Sequence, residues 1–592
     1  MDFYTGKVLR IDLDRLHATV EPLNAEWAKL YLGGKGLLFR YLHEELRPGI
    51  HPLSADNPLI LATGPFAGTT VATCSRLVIG CKSPATGTLL DTYVGGSFAP
   101  ELKFAGYDLV IVTGRSPEPV ILSIHDECVE FLPAWPRFWG LDTSQTEEAV
   151  RNDIDGDAKV LSIGPAGENL VPYACISTDQ YHKAGRGGAG AVMGSKNLKA
   201  VVVRGTGAVT VGDTRAFVEE TLRIQRERVL TDDNFWATEE GTPSLVDTIN
   251  GVGALPTRNW RTGTFGQAAS INSATLLKRR IRNRACAQCP VACRHVHAFE
   301  GYVSEGPEYE TIGLCGSNCG MSDLEALARF NLECDEVGLD TISCGAVVAL
   351  AMDLCEAGAA EYGLRFGEPD VYAAAPRLIA TRRSFGAELA LGARAVAAAK
   401  GRPELAAEVK NLEMPAYDPR GSFGMGLAYG TSDRGACHMR AFPANDELLT
   451  GERPADSLEG KAQYVIDLQD FSSLAWSGIW CANVALDAEM VATYVKHLWR
   501  RPVGQDELMV LGARVWNLGR LLNVREGIGP KADYLPERVL TVPLPDGPAA
   551  GKVIGERAFT DSLQEYYKLR GWDENGVPTE AKLAEIGVDV RL

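Results

Sequence analysis

Three cysteines, Cys286, Cys289 and Cys293, stand at C-x2-C-x3-C spacing within RACAQCPVACRHVHAFEGYVSEGPEYET, residues 284–311. Thiolates this close present a soft-metal face from one loop, because short spacers let them converge on one centre and thiolates bind zinc or iron tightly. A chain carrying such a face has to fold around it. Three ligands are one short of a closed site. The fourth comes either from His295 or His297, giving a structural zinc site, or from a distant cysteine, the habit of iron–sulfur clusters. The spacing leaves both open.

With 592 residues, 45% of them hydrophobic and 23% charged, the chain can bury about three or four domain cores. Its 59 basic residues against 76 acidic ones give a net charge of -17, which repels nucleic acid and anionic membranes. Neither is expected as a partner, and a small-molecule substrate fits better. The N-terminus MDFYTGKVLRIDLDRL has neither the basic segment nor the apolar run of a secretory leader, and no stretch approaches the roughly 18 apolar residues of a membrane span. The expected location is cytoplasmic, where the 14 cysteines are free thiols or metal ligands. Most of them, such as Cys128, Cys175 and Cys355, read as small core residues.

The first two hundred residues carry short apolar runs at 8–13, 58–63, 77–81, 109–113, 120–124, 160–163 and 200–203, each bounded by glycine or proline. That pattern predicts packed sheets. From about residue 213 the periodicity turns helical. Ser322 and Glu325 form a capping box, Leu324, Leu327, Phe330, Cys334 and Val337 recur at helical spacing, and Gly338 supplies a stop. Alanine-rich segments at 345–361 and 386–400 predict further helices, as does 510–524 with Val515, Leu518, Leu521 and Leu522 on one face.

Several loops carry chemistry. YHKAGRGGAGAVMGSK, 181–196, sets Gly185, Arg186, Gly187 and Gly188 between two strands. Consecutive glycines let backbone N–H groups approach an anion, and Arg186 adds a bidentate phosphate contact. Tight turns alone explain the loop about equally well. Arg76 in ATCSR, and Gly95-Gly96, repeat the pairing of arginine with glycine, which an anionic cofactor with more than one phosphate accounts for, although a surface ion pair is the commoner reading of any single arginine. In DEVGLD, Asp335 to Asp340 place carboxylates at a helix C-terminus, where the dipole disfavours them and ligand donors would compensate. His438 lies in TSDRGACHMRAF with Arg434 and Arg440. It can shuttle a proton near neutral pH, and a carboxyl such as Glu310 in a dry pocket has its pKa raised into working range. A lone histidine is more often structural, and Cys437 beside it is no ready dyad, since sequence neighbours point apart.

Together these pieces resemble the tungsten-containing aldehyde ferredoxin oxidoreductase family. The resemblance rests on TGKVLRIDL at 5–13, YLGGKGL at 31–37, ATGPFAGT at 62–69, Arg76, GGSFAPELKFAGYD at 95–108 and AGRGGAGAVMGSKNLKAV at 184–201. It continues through the cysteine loop, GPEYETIGLCGSNCG at 306–320, DEVGLDTIS at 335–343, PAYDPRG at 415–421, TSDRGACHMR at 431–440, Cys481 and WNLGRLLNVREG at 516–527. It implies an α+β fold: an N-terminal β-sheet-rich domain, residues 1–210, forming the base for a pterin cofactor. Two mostly α-helical domains follow, 211–415 with the cysteine loop and 416–592 with His438 and Cys481.

The resemblance also implies a [4Fe–4S] cluster on Cys286, Cys289, Cys293 and Cys481, with zinc through His295 or His297 the minority reading. It implies a bis-molybdopterin cofactor holding tungsten, or molybdenum, with magnesium bridging its phosphates. Matching contact positions are Arg76, Gly95, Gly185 and Arg186, then Asp335, Leu339, Asp340, Arg434 and Arg440. Tyr93 and His182 stand where members carry an amide and an arginine. Proton transfer falls on Glu310 as the base that activates water and His438 as a hydrogen-bond donor to the aldehyde oxygen, with Tyr417 a further candidate. Electrons leave singly to ferredoxin or to an iron–sulfur or flavin partner subunit, and homo- and hetero-oligomers are both open.

The family's second D-x-x-G-L-C motif reads Trp476-Ser-Gly-Ile-Trp-Cys481 here, without the aspartate and with its glycine displaced by one. One pterin contact is therefore altered. No histidine lies between His297 and His438, so the inter-subunit iron of some members is expected to be absent. Competing readings are an aryl-CoA reductase on the same scaffold and a non-catalytic iron–sulfur scaffold.

Overall fold

Twelve short strands in residues 7–204 build two six-stranded sheets in the computed structural model, which describes residues 2–590. They are β1 (Lys7–Asp12), β2 (His17–Pro22), β3 (Leu59–Ala62), β4 (Leu77–Lys82), β5 (Leu89–Val94), β6 (Leu109–Thr113), β7 (Val120–His125), β8 (Cys128–Pro133), β9 (Lys159–Ser162), β10 (Ile176–Thr178), β11 (His182–Ala184) and β12 (Leu198–Arg204). The first sheet runs β2-β1-β6-β3-β4-β5 and the second β11-β10-β9-β12-β7-β8. One pair in each is parallel, β1 with β6 and β7 with β12.

The seven apolar runs of the sequence become β1, β3, β4, β6, β7, β9 and β12. The other five strands lie at or next to sheet edges; β2 and β8 are largely exposed and need no apolar run, whereas β5, β10 and β11 are buried but are short or carry polar residues. The two-residue period sorts the side chains. Leu9, Ile11, Leu61, Val110 and Val112 of the first sheet share a core with Leu122, Ile124, Val201 and Val203 of the second. Val8, Ile60, Ala62, Leu109 and Ile111 face the other way, against Leu37, Leu38 and Leu42 of the helix Gly34–Glu45 and Val515, Leu518 and Leu522 of the helix Gln505–Arg525. At roughly 1.5–3 kcal/mol for each fully buried side chain, this double-sided burial fixes the first sheet as a platform.

The rest of the chain is mainly helical. The helix Leu324–Val337 ends at Gly338, whose φ of 75° suits glycine. Its N-cap is Asp323, not Ser322: the Asp323 carboxylate accepts from the N–H groups of Glu325 (2.9 Å) and Ala326 (3.2 Å). Both residue types cap well, and the helix starts one residue later than the capping box suggested. The next helix, Thr341–Glu356, is capped by Asp340, which accepts from Ile342 N–H at 3.1 Å. Asp340 therefore sits at a favourable helix N-terminus, and the carboxylates in the last turn of a helix are Asp335 and Glu336. The alanine-rich stretch near 390 is two short helices, Gly386–Leu389 and Ala393–Ala399, parted by Gly392.

Part of the middle region is not helical. β13 (Arg280–Arg284), β14 (Arg294–Phe299) and β15 (Tyr302–Glu305) form a small antiparallel sheet, and the cysteine loop is the β13–β14 connection. Arginine and histidine at these positions hide the strand pattern. No helix of the described residues is long and apolar enough to cross a membrane.

Candidate active site

Pairing of Arg284 with Arg294 closes the cysteine loop at its base, so Cys286, Cys289 and Cys293 project from a short closed segment. Gln288 and Ala292 take positive φ of 58° and 49°, turning the chain between the cysteines. Ala287 N–H donates to Gly96 O at 3.1 Å, docking the loop on the segment after β5. Here glycine is required: a Cβ on Gly95 would lie 2.9 Å from Cys286 Sγ. Cys481 arrives from the other end of the molecule, just past the helix Lys461–Gly478, with its N–H on Thr73 O at 3.1 Å. All four cysteines line one cavity of about 250 Å³, with Arg76, Tyr93, Gly95 and His182 in its wall.

The electrostatics of that wall suit metal-bound sulfur. Burial pushes the thiols of Cys289 and Cys293 up to about 11 and about 12, so as bare groups they hold their protons. Arg76 donates from Nη2 to Cys481 Sγ at 3.0 Å. Burial opposes the charge of that guanidinium, but Cys481 and Cys286 outweigh it and hold Arg76 above its ordinary value. His182 Nε2 lies 3.5 Å from Cys286 Sγ, and burial, then Arg294 and Arg76, keep the ring neutral. His295 and His297 do not line this cavity. His295 Nε2 sits 3.0 Å from Thr238 O, and His297 packs on Phe299 with ring centroids 5.9 Å apart. Among the described residues, no three His, Cys, Asp or Glu side chains converge on a single-ion site. The four cysteines around the cavity are a donor set of the kind that fits an iron–sulfur cluster.

Glu310, Tyr417 and His438 line the same cavity. Glu310 belongs to the single turn Tyr309–Thr311, and its Oε2 accepts from Ala416 N–H at 2.9 Å. Its Oε1 lies 3.5 Å from His438 Nδ1, and neither atom has a hydrogen-bond partner among the described residues. Burial pushes the Glu310 carboxyl up to about 8 despite Ala416 N–H and Arg186. Burial, followed by Arg186, Arg434 and Arg440, drives His438 down to about 3. At neutral pH the pair holds one ionisable proton, on Glu310, beside a neutral imidazole. The Tyr417 ring lies 5.8 Å from His438 and 5.0 Å from Tyr309, and burial and then Glu310 keep its hydroxyl protonated.

The remaining sequence-derived positions lie behind the cavity wall. Arg186 donates from Nη1 to Ala436 O at 2.7 Å and from Nη2 to Glu413 O, leaving Nε 3.5 Å from Asp340 Oδ2. Gly185 has open space, its nearest would-be Cβ contact being Asp340 Oδ1 at 3.9 Å. Leu339 is buried and bridges to Ala174. Asp335, pushed up to about 6 by burial against the pull of Lys183 and Arg294, lies 3.8 Å from Lys183 Nζ, and Lys183 does reach the cavity. Arg434 donates to Asp91 O at 2.6 Å and to Cys437 Sγ at 3.0 Å, and Arg440 pairs with Asp91 and Asp433.

These buried cations test the site for a polyanion. Nε of Arg76, Arg186 and Arg434 and Nη1 of Arg440 are buried with no acceptor among the described residues. Of the four, only Arg76 lines the cavity and the others lie behind its wall; buried guanidinium donors without acceptors are costly, and a phosphorylated cofactor would supply acceptors. The sequence reading missed the counter-charges. Lys35 Nζ lies 2.5 Å from Asp433 and 3.6 Å from Asp91, completing a buried network with Arg440. Lys35 sits in YLGGKGL and Asp91 in an apolar strand, two charges at positions that otherwise ask for apolar residues.

The altered motif before Cys481 also has a definite structure. The Trp476 ring stacks on Tyr93 at 4.2 Å with the planes 35° apart, and its Nε1–H donates to Met439 O at 3.1 Å. Trp476, Tyr417, His438 and Cys481 also line a second cavity of about 670 Å³ that adjoins the first.

The chain is similar to known proteins over nearly its whole length. Residues 8–205 match the description "Aldehyde ferredoxin oxidoreductase, N-terminal domain" and residues 220–588 match "Aldehyde ferredoxin oxidoreductase, domains 2 & 3". A tungsten-containing aldehyde ferredoxin oxidoreductase of Pyrococcus furiosus is 39% identical over 606 residues, covering 98% of each chain. The enzyme of that description from Thermococcus kodakarensis is 38% identical over 602 residues, again covering 98% of each. A more distant relative in Pyrococcus furiosus, the WOR-like subunit of an aliphatic sulfonate oxidoreductase, is 28% identical over 630 residues, 99% of this chain and 97% of the relative. In fold, the chain is similar to one from the active-site complex of a benzoyl coenzyme A reductase with 1,5-dienoyl-CoA, at a TM-score of 0.83 and 24% identity over 99% of this chain and 97% of that one. With family matches over nearly its whole length, this chain belongs to the tungsten-containing aldehyde ferredoxin oxidoreductase family of oxidoreductases.

Proposed function

We propose that this chain oxidises an aldehyde to a carboxylic acid with water as the oxygen source and passes the electrons one at a time to ferredoxin or to an iron–sulfur or flavin partner subunit. The observation that carries the reading is the single cavity that sets four cysteines on one wall and Glu310, His438 and Tyr417 on another. Cys286, Cys289, Cys293 and Cys481 would hold a [4Fe–4S] cluster, with Arg76 donating to the Cys481 sulfur. Arg76, Arg186, Arg434 and Arg440 would supply the unpaired donors for the phosphates of a bis-pterin cofactor, and Asp335 an acceptor from behind Lys183. Tyr93 donates its hydroxyl to Asp91 Oδ2 and would present no side-chain amide to a magnesium ion bound with the cofactor. When bound, the tungsten or molybdenum group supplies a two-electron acceptor and a Lewis acid.

The chain's own residues handle the protons. Net oxidation adds the oxygen of one water to the aldehyde carbon and releases two protons and two electrons. Ionised Glu310 takes the proton of the attacking water. The neutral His438 ring carries one N–H and would donate it as a hydrogen bond to the aldehyde oxygen. Tyr417 packs beside His438 and orients it.

The test is elemental analysis for tungsten, molybdenum and iron on protein purified without air, followed by aldehyde-dependent viologen reduction on the same sample. About one tungsten and four irons per chain, with turnover, is the expected result. Those metals with electron transfer only to benzoyl-CoA would replace this reading by the aryl-CoA one. Iron without tungsten or molybdenum would leave a non-catalytic scaffold.

A further inference from the structure

The segment that carries His438, residues 437–441, belongs to no helix or strand, and among the described residues its backbone makes no hydrogen bond to other backbone. No hydrogen bond holds the imidazole at Nδ1, and the rings beside it are Tyr417 at 5.8 Å and Phe442 at 6.4 Å. A group that has to meet a reacting oxygen within a fraction of an ångström needs firmer support than that.

The support comes through the Met439 carbonyl. It accepts from Trp476 Nε1–H at 3.1 Å and from the Ser472 hydroxyl at 3.0 Å. The two donors stand four residues apart, on one face of the helix Lys461–Gly478. That helix is a firm reference. Gly34 and Gly512 let neighbouring helices approach it so closely that a Cβ on either would clash with Trp476 O or Asp470 O. Three residues past its end stands Cys481, so one helix places both the fourth cysteine and the turn of His438. Trp476 also reaches the other support of the turn. Its ring packs on Tyr93, whose hydroxyl donates to Asp91, and Asp91 pairs with Arg440.

We infer that Trp476 is a positioning residue for His438: its indole N–H, together with Ser472, pins the Met439 carbonyl and so sets the imidazole 3.5 Å from Glu310. The inference rests on the proposed proton chemistry of His438 and adds the residue that the altered motif contributes to it. The aldehyde oxygen gathers negative charge only as water attacks, so a misplaced donor costs the transition state more than the bound aldehyde.

The experiment uses Trp476→Phe, which keeps a ring beside Tyr93 and loses the donor, and Ser472→Ala, which removes the other donor without touching Tyr93. Kinetics are read on the loaded enzyme with acetaldehyde and viologen, and metal content is measured on each sample. Trp476→Phe should lower kcat about five- to tenfold with KM within about twofold, and Ser472→Ala should do the same to a smaller extent. In a His438→Ala background neither change should lower kcat further by more than about twofold, because the residue through which they act is gone. A second readout needs no turnover. Amide hydrogen exchange of residues 437–442, followed by mass spectrometry, should quicken at least fivefold in Trp476→Phe, while the helix Phe423–Thr431 exchanges as before. Full loss of kcat persisting without His438, or faster exchange in both segments alike, would make Trp476 a general prop and overturn the inference. Unchanged kcat and exchange in both variants would overturn it too. If Trp476→Phe loses its metals, Ser472→Ala in the two backgrounds decides. No aldehyde turnover by the wild-type chain would overturn the proposed function, and the exchange result alone would then uphold or overturn Trp476 as the anchor of this turn.

Discussion

The ionisation of Glu310 gives the proposed mechanism its sharpest consequence. The carboxyl is pushed from its ordinary 4.5 to about 8 by burial, with Cys437 and Asp340 adding to the rise. A base must be ionised to work. At pH 7 only about one Glu310 in eleven is ionised, at pH 8 about half and at pH 9 about nine in ten, so kcat for aldehyde oxidation should rise about tenfold from pH 7 to pH 9 and then level off. His438, held near 3, stays neutral over this range and adds no second limb. The profile is therefore a single rising step and not a bell. Glu310→Gln should retain tungsten and iron, lose about two to four orders of magnitude in kcat, and lose the step. The assay is steady-state viologen reduction in overlapping buffers at constant ionic strength, with metal content measured on each sample. A wild-type rate that is flat from pH 6.5 to 9, or a step of the same size surviving in the Gln variant, would refute Glu310 as the group that titrates.

Three further outcomes are expected. Gly95→Ala should lower iron content well below about four per chain while circular dichroism stays unchanged, because the new Cβ would lie 2.9 Å from Cys286 Sγ and a cluster-bound sulfur cannot swing aside. Arg76→Gln should lower the reduction potential of the cluster by about 60 mV, roughly 1.4 kcal/mol for one electron, since the lost cation and its 3.0 Å bond to Cys481 Sγ favour the more negative reduced state; a redox titration followed by electron paramagnetic resonance reads this. Ile479→Gly should destabilise the protein by about 1–3 kcal/mol in a denaturant melt: relief of the left-handed backbone returns about 1–2 kcal/mol, but removal of a side chain buried against Gly34 and Gly64 loses about 2–5 kcal/mol.

What the sequence made legible follows from where water is. Strands buried on both faces, such as β3 and β6, announce themselves as LILA and LVIVT. β13 and β14, RIRNR and RHVHAF, do not, because arginines among them pair with Glu239 and Glu305 and break the apolar alternation. The cysteine loop was legible from spacing alone, but Cys481, 188 residues beyond Cys293 in chain order, was reachable only through resemblance. Glu310 and His438 were legible as residue types suited to proton transfer, and only the fold puts them 3.5 Å apart. Lys35, Asp91, Asp433 and Arg440 were illegible as a group, since a buried ion network joins residues separated by hundreds of positions and leaves no periodic trace.

The two hexapeptides 335–340 and 476–481 explain how an altered motif can still bring Cys481 to the cysteine-lined cavity. In the first, Gly338 ends a helix at φ 75° with its N–H on Cys334 O, Leu339 N–H also reaches Cys334 O, and Asp340 N–H reaches across to Tyr173 O at 3.1 Å. In the second, Ile479 ends a helix at φ 65° with its N–H on Ala475 O, Trp480 N–H reaches Ala475 O, and Cys481 N–H reaches Thr73 O at 3.1 Å. The backbone path is the same although the glycine has moved to position 478. A bulky residue in the left-handed region normally costs about 1–2 kcal/mol, and Ile479 tolerates it because its side chain fills the space left by Gly34 and Gly64. Replacement of the motif glycine was thus absorbed by packing against two other glycines, and the sulfur of Cys481 keeps its place beside Arg76. The chemical difference falls on the first residue. Asp335 offers a buried carboxyl, whereas Trp476 offers a ring packed on Tyr93, so the change falls on the chemistry presented between the two helices and leaves the backbone path to Cys481 as it is.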